Sequence, residues 1–219
     1  MTASIPTATT RRRTALLCLL ALPVLMACRG KPPQGQALAA GTTVLALGDS
    51  LTAGVGAQPG QDWPSLLATM TQWEVINAGI SGDTSAQGLA RLPDLLAAHT
   101  PRLVIIGLGG NDFLRRQPAA ATQQNLAQAI RLAQASGAQV VLQAIPQPSL
   151  LAAVGSTPSD HPLYATLASE FKIPLLSGLW GDVLVAPEMR SDAVHANAQG
   201  YAAFAQAQFQ ALQQLGFIP

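Results

Sequence analysis

Five short apolar runs recur along this chain, and a helix-like segment fills each gap between them. The runs are Thr43–Leu47, Glu74–Asn77, Leu103–Leu108, Val140–Ala144 and Ile173–Leu176. The segments between and after them are Trp63–Met70, Ser85–Ala97, Ala119–Ser136, Leu163–Phe171 and Ala198–Leu215. Strands that alternate with helices build a parallel sheet covered on both faces. The third and fourth runs hold almost no polar residue, as central strands require. The run at Glu74–Asn77 is the weakest and fits an edge. Gly137 is a stop signal after Ala119–Ser136, and Gln139 opens the next strand. The expected fold class is α/β: a three-layer α/β/α sandwich around a parallel sheet of about five strands.

Not all 219 residues belong to that fold. Arg11-Arg12-Arg13 precede an apolar stretch from Ala15 to Ala27, which meets Cys28. A basic n-region followed by a short h-region reads as a secretory signal. The stretch is shorter than the roughly 20 apolar residues of a membrane-spanning helix. Leu25-Met26-Ala27-Cys28 resembles the bacterial lipobox, which implies cleavage before Cys28 and acylation of that cysteine. Ordinary cleavage after a small residue nearer Ala39-Ala40 is the alternative. The expected organisation is a signal over residues 1–27, a flexible tether over 28–41 and one domain over 42–219. The expected location is the bacterial cell envelope, periplasmic or outer-membrane-anchored, with the lipid anchor as the membrane partner.

Charge and cysteine content narrow the function. The chain holds 12 Lys and Arg against 11 Asp and Glu. Three of the arginines lie in the leader, so the exported part carries a formal charge of −2. That leaves no basic footprint for nucleic acid. The two cysteines, Cys18 and Cys28, lie in or at the end of the leader, so no disulfide forms within one mature chain. No Cys/His cluster suits zinc.

The chemistry-bearing residues sit where strands end. Ser50 lies in Gly48-Asp49-Ser50-Leu51-Thr52, just after the first run. Asn77-Ala78-Gly79-Ile80-Ser81-Gly82-Asp83-Thr84-Ser85 follows the second run, and Gly109-Gly110-Asn111-Asp112 the third. Asp192-Ala193-Val194-His195 precedes the last helix. In open α/β sheets ligands bind outside the carboxyl ends of the strands, so these segments can converge. A serine hydroxyl is a weak nucleophile until an adjacent base takes its proton. His195 suits that role, and Asp192, three residues earlier, can fix the imidazole tautomer. Gly-x-Ser-x-Gly is absent, because Thr52 stands where its second glycine would be. That argues against a nucleophile-elbow fold.

The four blocks, in this order and spacing, resemble those of the GDSL (SGNH) hydrolases over roughly residues 42–215. The likeness is closer to their thioesterase I-like branch of arylesterases and lysophospholipases. The resemblance implies Ser50, Asp192 and His195 as catalytic residues. It implies three donors to the oxyanion: the amides of Ser50 and Gly79 and the side-chain amide of Asn111. At Gly79 the missing Cβ would let substrate approach the backbone. It implies ester or thioester hydrolysis through an acyl-serine, with no metal or organic cofactor and a small-molecule acyl ester or lipid as substrate. One departure stands out: Ala196 follows the histidine where the family usually has proline.

Other polar and aromatic residues have plainer readings. Asp49 and Asp112 are expected to bond loop amides. His99, just before Thr100-Pro101, is expected in a solvated loop, and His161 lacks the spacing of a catalytic base. Trp63, Trp73 and Trp180 are expected to pack in the core or under loops rather than to form a ligand platform. The loop from Pro146 to Pro162 lies at the active end, and its leucines suit an acyl pocket. Two rival functions use the same chain: a carbohydrate or peptidoglycan O-acetylesterase, and a non-catalytic envelope lipoprotein that binds a lipid or partner. The scarcity of aromatics, ten in 219 residues, counts against a sugar platform.

Overall fold

Val44, Leu45, Ala46 and Leu47 are all fully buried, so both faces of the first strand are covered. The computed structural model describes residues 1–4, 33–147 and 157–219 of the chain. Residues 1–31 form one unit and Pro32–Pro219 another, and the fold is that of the second. Its strands are β1 (Thr43–Gly48), β2 (Glu74–Gly79), β3 (Leu103–Gly107), β4 (Gln139–Gln143) and β5 (Leu175–Leu176). They form one sheet in the order β2-β1-β3-β4-β5, every pair parallel. The five expected strands are all present. β2 is an edge, as its mixed composition suggests. The fifth run shrinks to a two-residue edge pairing.

The register decides where the chemistry goes. Gly48 pairs with Gly79 on one side and Gly107 on the other. Three strands therefore finish level, and the loops after them open at one height. The chain runs from β1 outward to β2, then crosses back to β3 on the far side of β1. A crevice at such a switch point is the usual ligand site of an open α/β sheet.

Helices cover both faces. They are α1 (Ser50–Ala53), α2 (Trp63–Thr71), α3 (Ser85–His99), α4 (Gly110–Leu114), α5 (Ala119–Ala135), α6 (Leu163–Phe171), α7 (Leu179–Leu184) and α8 (Ala198–Gln214). α3 packs on α5 and α5 on α6, forming one outer layer. α8 packs on α2 and α7, forming the other. Trp180 of α7 stacks on Phe204 of α8 at 3.7 Å between centroids, and Trp63 of α2 lies 5.9 Å from the same ring. All three tryptophans are buried, as core packing requires. Truncating a ring such as Phe204 to alanine costs roughly 3–5 kcal/mol, because the surrounding helices cannot close the cavity. α3 starts on a capping box between Thr84 and Gln87 and carries Pro93 in its exposed interior. It extends through His99, which is helical rather than in a loop.

The segment before β1 is partly fixed rather than free. Gly35 N donates to Leu215 O at 2.7 Å, and Leu38 N to Phe217 O at 2.8 Å. Leu38 is buried in the core. A buried leucine and two main-chain bonds anchor what composition alone reads as a tether. Residues 5–27 of the expected signal and Cys28 lie outside the described residues, as do Leu150 and Leu151 of the Pro146–Pro162 loop.

Candidate active site

β1 delivers Ser50 directly to the carboxyl edge of the sheet. Asp49 caps the short α1, its Oδ1 accepting from Leu51 N at 3.0 Å. Ser50 is the first residue of that helix, and its N–H has no partner inside the helix.

His195 and Asp192 arrive on the turn before α8. Asp192 Oδ1 accepts from the backbone N–H groups of Val194 and His195, both at 2.8 Å. Its other oxygen, Oδ2, lies 2.7 Å from His195 Nδ1. A carboxylate only accepts, so Nδ1 carries the proton and Nε2 of the neutral ring is left as an acceptor. Ser50 Oγ lies 3.0 Å from that Nε2 and donates to it. The three side chains thus form one hydrogen-bonded series from carboxylate to hydroxyl. Burial is the largest single influence on the Asp192 pKa and raises it. The bonds from the His195 ring and from the two backbone amides outweigh it and hold the carboxyl below its ordinary range.

Ala196 takes the place of the expected proline without leaving the turn loose. Arg190 and Ala196 form an antiparallel bridge across it, and Ala196 is fully buried. Asn197 caps α8 with its Oδ1 and donates from Nδ2 to Glu188 O and Arg190 O. The turn is braced at both ends by side-chain and main-chain bonds.

Asn111 enters from the start of α4. Its Nδ2 donates to Asp83 O at 3.0 Å and reaches Asp49 Oδ2 only at 3.4 Å. One N–H is therefore held firmly, and the other is bound weakly. Asp83 is itself fixed by Arg91, whose Nε donates to Asp83 Oδ2 at 2.8 Å and whose guanidinium also donates to Gly48 O. Asp112 is fully buried and accepts from Ser85 N and Ser85 Oγ, tying α4 to the start of α3. Asp49 and Asp112 thus bond backbone amides, as expected. Burial pushes the Asp49 pKa up to about 6, opposed by the Leu51 amide and by the charge of His195.

The structure does not bring Gly79 to the site. Its N–H donates to Asn77 Oδ1 at 3.0 Å, and it does not line the cavity beside Ser50. It must be glycine for another reason: a Cβ there would strike the backbone of Thr52 and Ala53 in α1. Gly82, three residues on, does line the cavity and has φ +85°, a conformation that favours glycine. Gly82, Asp83 and Arg91 went unassigned in the sequence. The cue available was the position of Gly82 at the tip of the loop after β2.

His161 is elsewhere. Its ring stacks on Phe113 at 4.5 Å, and its Nδ1 accepts from Leu163 N.

Ser50, Asn111 and His195 open onto one cavity of about 480 Å³. Its walls include Leu51, Leu114, Ile145, Pro146, Pro158, Leu184 and Val194 and are mostly apolar. The volume lies in the usual range for a small-molecule site.

A serine, imidazole and carboxylate aligned at the switch point of such a sheet define a class, the carboxylic ester hydrolases of serine type. The chain belongs to the GDSL-like lipase/acylhydrolase family, whose sequence profile matches residues 46–203. It is 43% identical over 164 residues to the thioesterase 1/protease 1/lysophospholipase L1 of Escherichia coli K12, covering 73% of this chain and 77% of that protein. It is 42% identical over 160 residues to an arylesterase of Vibrio mimicus, covering 69% of this chain and 78% of that one. The crystal structure of TesA superposes with a TM-score of 0.71 at 36% identity, covering 80% of this chain and 99% of that one.

Proposed function

We propose that the protein hydrolyses acyl esters and thioesters, lysophospholipids among them, through an acyl-serine on Ser50. The hydrogen-bonded series Ser50–His195–Asp192 facing an apolar cavity carries this reading. His195 Nε2 takes the Ser50 proton as Oγ attacks the acyl carbon. The carbonyl π electrons move onto oxygen, and the oxyanion forms. Its donors are the N–H of Ser50, the second N–H of Asn111 and, in place of Gly79, the N–H of Gly82. Asp192 holds the imidazole in the tautomer that accepts at Nε2 and stabilises the imidazolium. The oxyanion then collapses, the bond to the leaving oxygen or sulfur breaks, and His195 returns the proton to it. Water enters, gives its proton to His195, and releases the acid by the same steps in reverse.

The walls favour an acyl chain over an acetyl group on a sugar. Apolar surface buries methylenes at about 0.8 kcal/mol each, which a bare acetyl group leaves unused. The leader and Cys28 support export and a lipid anchor, and so an ester of the cell envelope as substrate. The test is hydrolysis of p-nitrophenyl esters from acetyl to palmitoyl. The expected optimum lies at a chain longer than acetyl. Activity confined to acetylated sugars would overturn the substrate assignment.

A further inference from the structure

Among the described residues, four large hydrophobic side chains are strongly exposed: Met1, Ile80 at 49%, Leu114 at 54% and Val194 at 38%. The three within Pro32–Pro219 come from different segments: the turn after β2, the end of α4 and the turn before α8. All three lie at or next to the wall of one cavity. Leu114 and Val194 line the cavity that holds Ser50, and Ile80 begins the turn whose next residues, Ser81 and Gly82, line it too. Single exposed apolar residues are ordinary, but a group of them around one opening marks an interaction site.

Cations accompany this rim. Arg115 follows Leu114, and its guanidinium donates to Gly82 O at 2.8 Å, bracing the turn that carries Ile80. Arg116 is exposed beside it. Arg190 lines the cavity from the opposite turn. Among the described residues, none of the three forms an ion pair with a carboxylate. Of the nearby acids, Asp83 is paired with Arg91 and Asp192 with His195, Asp49 lines the cavity but is buried, and Glu188 is exposed on the turn of Arg190.

We infer that the cavity mouth docks on an anionic lipid surface, a bilayer or micelle, with Ile80, Leu114 and Val194 entering the acyl boundary. Arg115, Arg116 and Arg190 would meet the headgroup phosphates. The inference rests on the cavity being the acyl site. An apolar rim around that cavity lets an acyl chain leave the lipid and reach Ser50 without crossing water. A protein partner would explain the apolar rim but not its placement around an acyl cavity.

Tryptophan fluorescence of the full chain tests it, since Trp63, Trp73 and Trp180 are buried and insensitive to vesicles. Leu114→Trp places a reporter on the rim. Gln214→Trp places one at the exposed end of α8, away from the rim. With phosphatidylglycerol vesicles, Trp at 114 should shift to the blue and be quenched by brominated acyl chains. The effect should be weaker with phosphatidylcholine and fall with salt. Trp at 214 should not respond. No response at 114, or equal responses at both positions, would overturn the inference. Ile80→Asp gives a kinetic check. It should hydrolyse monomeric p-nitrophenyl butyrate at the parent rate, yet lose about tenfold on an anionic micellar ester. An equal fall on both substrates would contradict docking. Loss of all ester hydrolysis in the unaltered enzyme would instead overturn the catalytic reading and leave the fluorescence result to stand alone.

Discussion

His195 Nε2 stands 3.0 Å from Ser50 Oγ, although 145 residues of sequence separate them. Two structural devices create that approach. The level ends of β1, β2 and β3 place α1 at the crevice. The Arg190–Ala196 bridge and the Asn197 cap hold the turn before α8 over it.

Asp192→Asn should lower kcat while leaving KM nearly unchanged. The amide keeps Oδ1 for the backbone bonds but no longer fixes the Nδ1–H tautomer. Its side chain is 52% exposed, so water partly replaces it. The loss should therefore fall below the roughly 10⁴-fold seen where such an aspartate is buried. Steady-state kinetics on a p-nitrophenyl ester decide this, and an unchanged kcat would remove Asp192 from the mechanism.

Asn111→Ala should cost about 100- to 1000-fold in kcat, the usual cost of one oxyanion donor. The fold should survive, because Asp83 stays clamped by Arg91. A circular dichroism melt beside the kinetics separates the two effects. A drop in melting temperature with kcat preserved would make Asn111 structural.

Gly79 and Gly82 should respond in opposite ways to alanine. A Cβ at Gly79 meets the α1 backbone, so Gly79→Ala should impair folding and yield little soluble protein. At Gly82 the nearest atom to a Cβ is Arg115 Nη2 at 3.6 Å, so only the positive φ opposes the change. That variant should fold, at a cost of about 1–2 kcal/mol, and lose activity. Activity lost without instability in Gly79→Ala would restore Gly79 to the oxyanion site.

Asp49→Asn should become more stable relative to the parent as pH rises. Unfolded, Asp49 titrates near 3.8, and in the folded protein at about 6. Below pH 3.8 both states hold the proton, and the stability from the raised pKa is fully present. It is lost as pH rises through 6, where the buried carboxyl must ionise. The loss is on the order of 3 kcal/mol. The stability gap between variant and parent should therefore widen by that order from pH 4 to pH 7 in urea titrations. A gap that does not change with pH would mean that Asp49 is not strained by burial.

Much of this molecule is legible in the chain because its core strands are runs of Val, Leu and Ile bounded by glycines. Edges are harder: β5 shortens to Leu175–Leu176 because only β4 holds it. The short α1, α4 and α7 carry too few turns to show a period. Ser50, Asn111, Asp192 and His195 were readable because each follows a strand or precedes a helix. Gly79 misled because its block holds two glycines, and sequence alone does not say which one packs on α1. Arg91 lies inside α3, 43 residues from the Gly48 carbonyl it holds, so no local pattern exposes it.

Covalent labelling of the full chain with a fluorophosphonate, read by peptide mass spectrometry, tests whether Ser50 is the nucleophile. One adduct is expected, on Ser50, forming far more slowly in His195→Ala and absent in Ser50→Ala. An adduct on another residue, or labelling of Ser50→Ala at the parent rate, would contradict it.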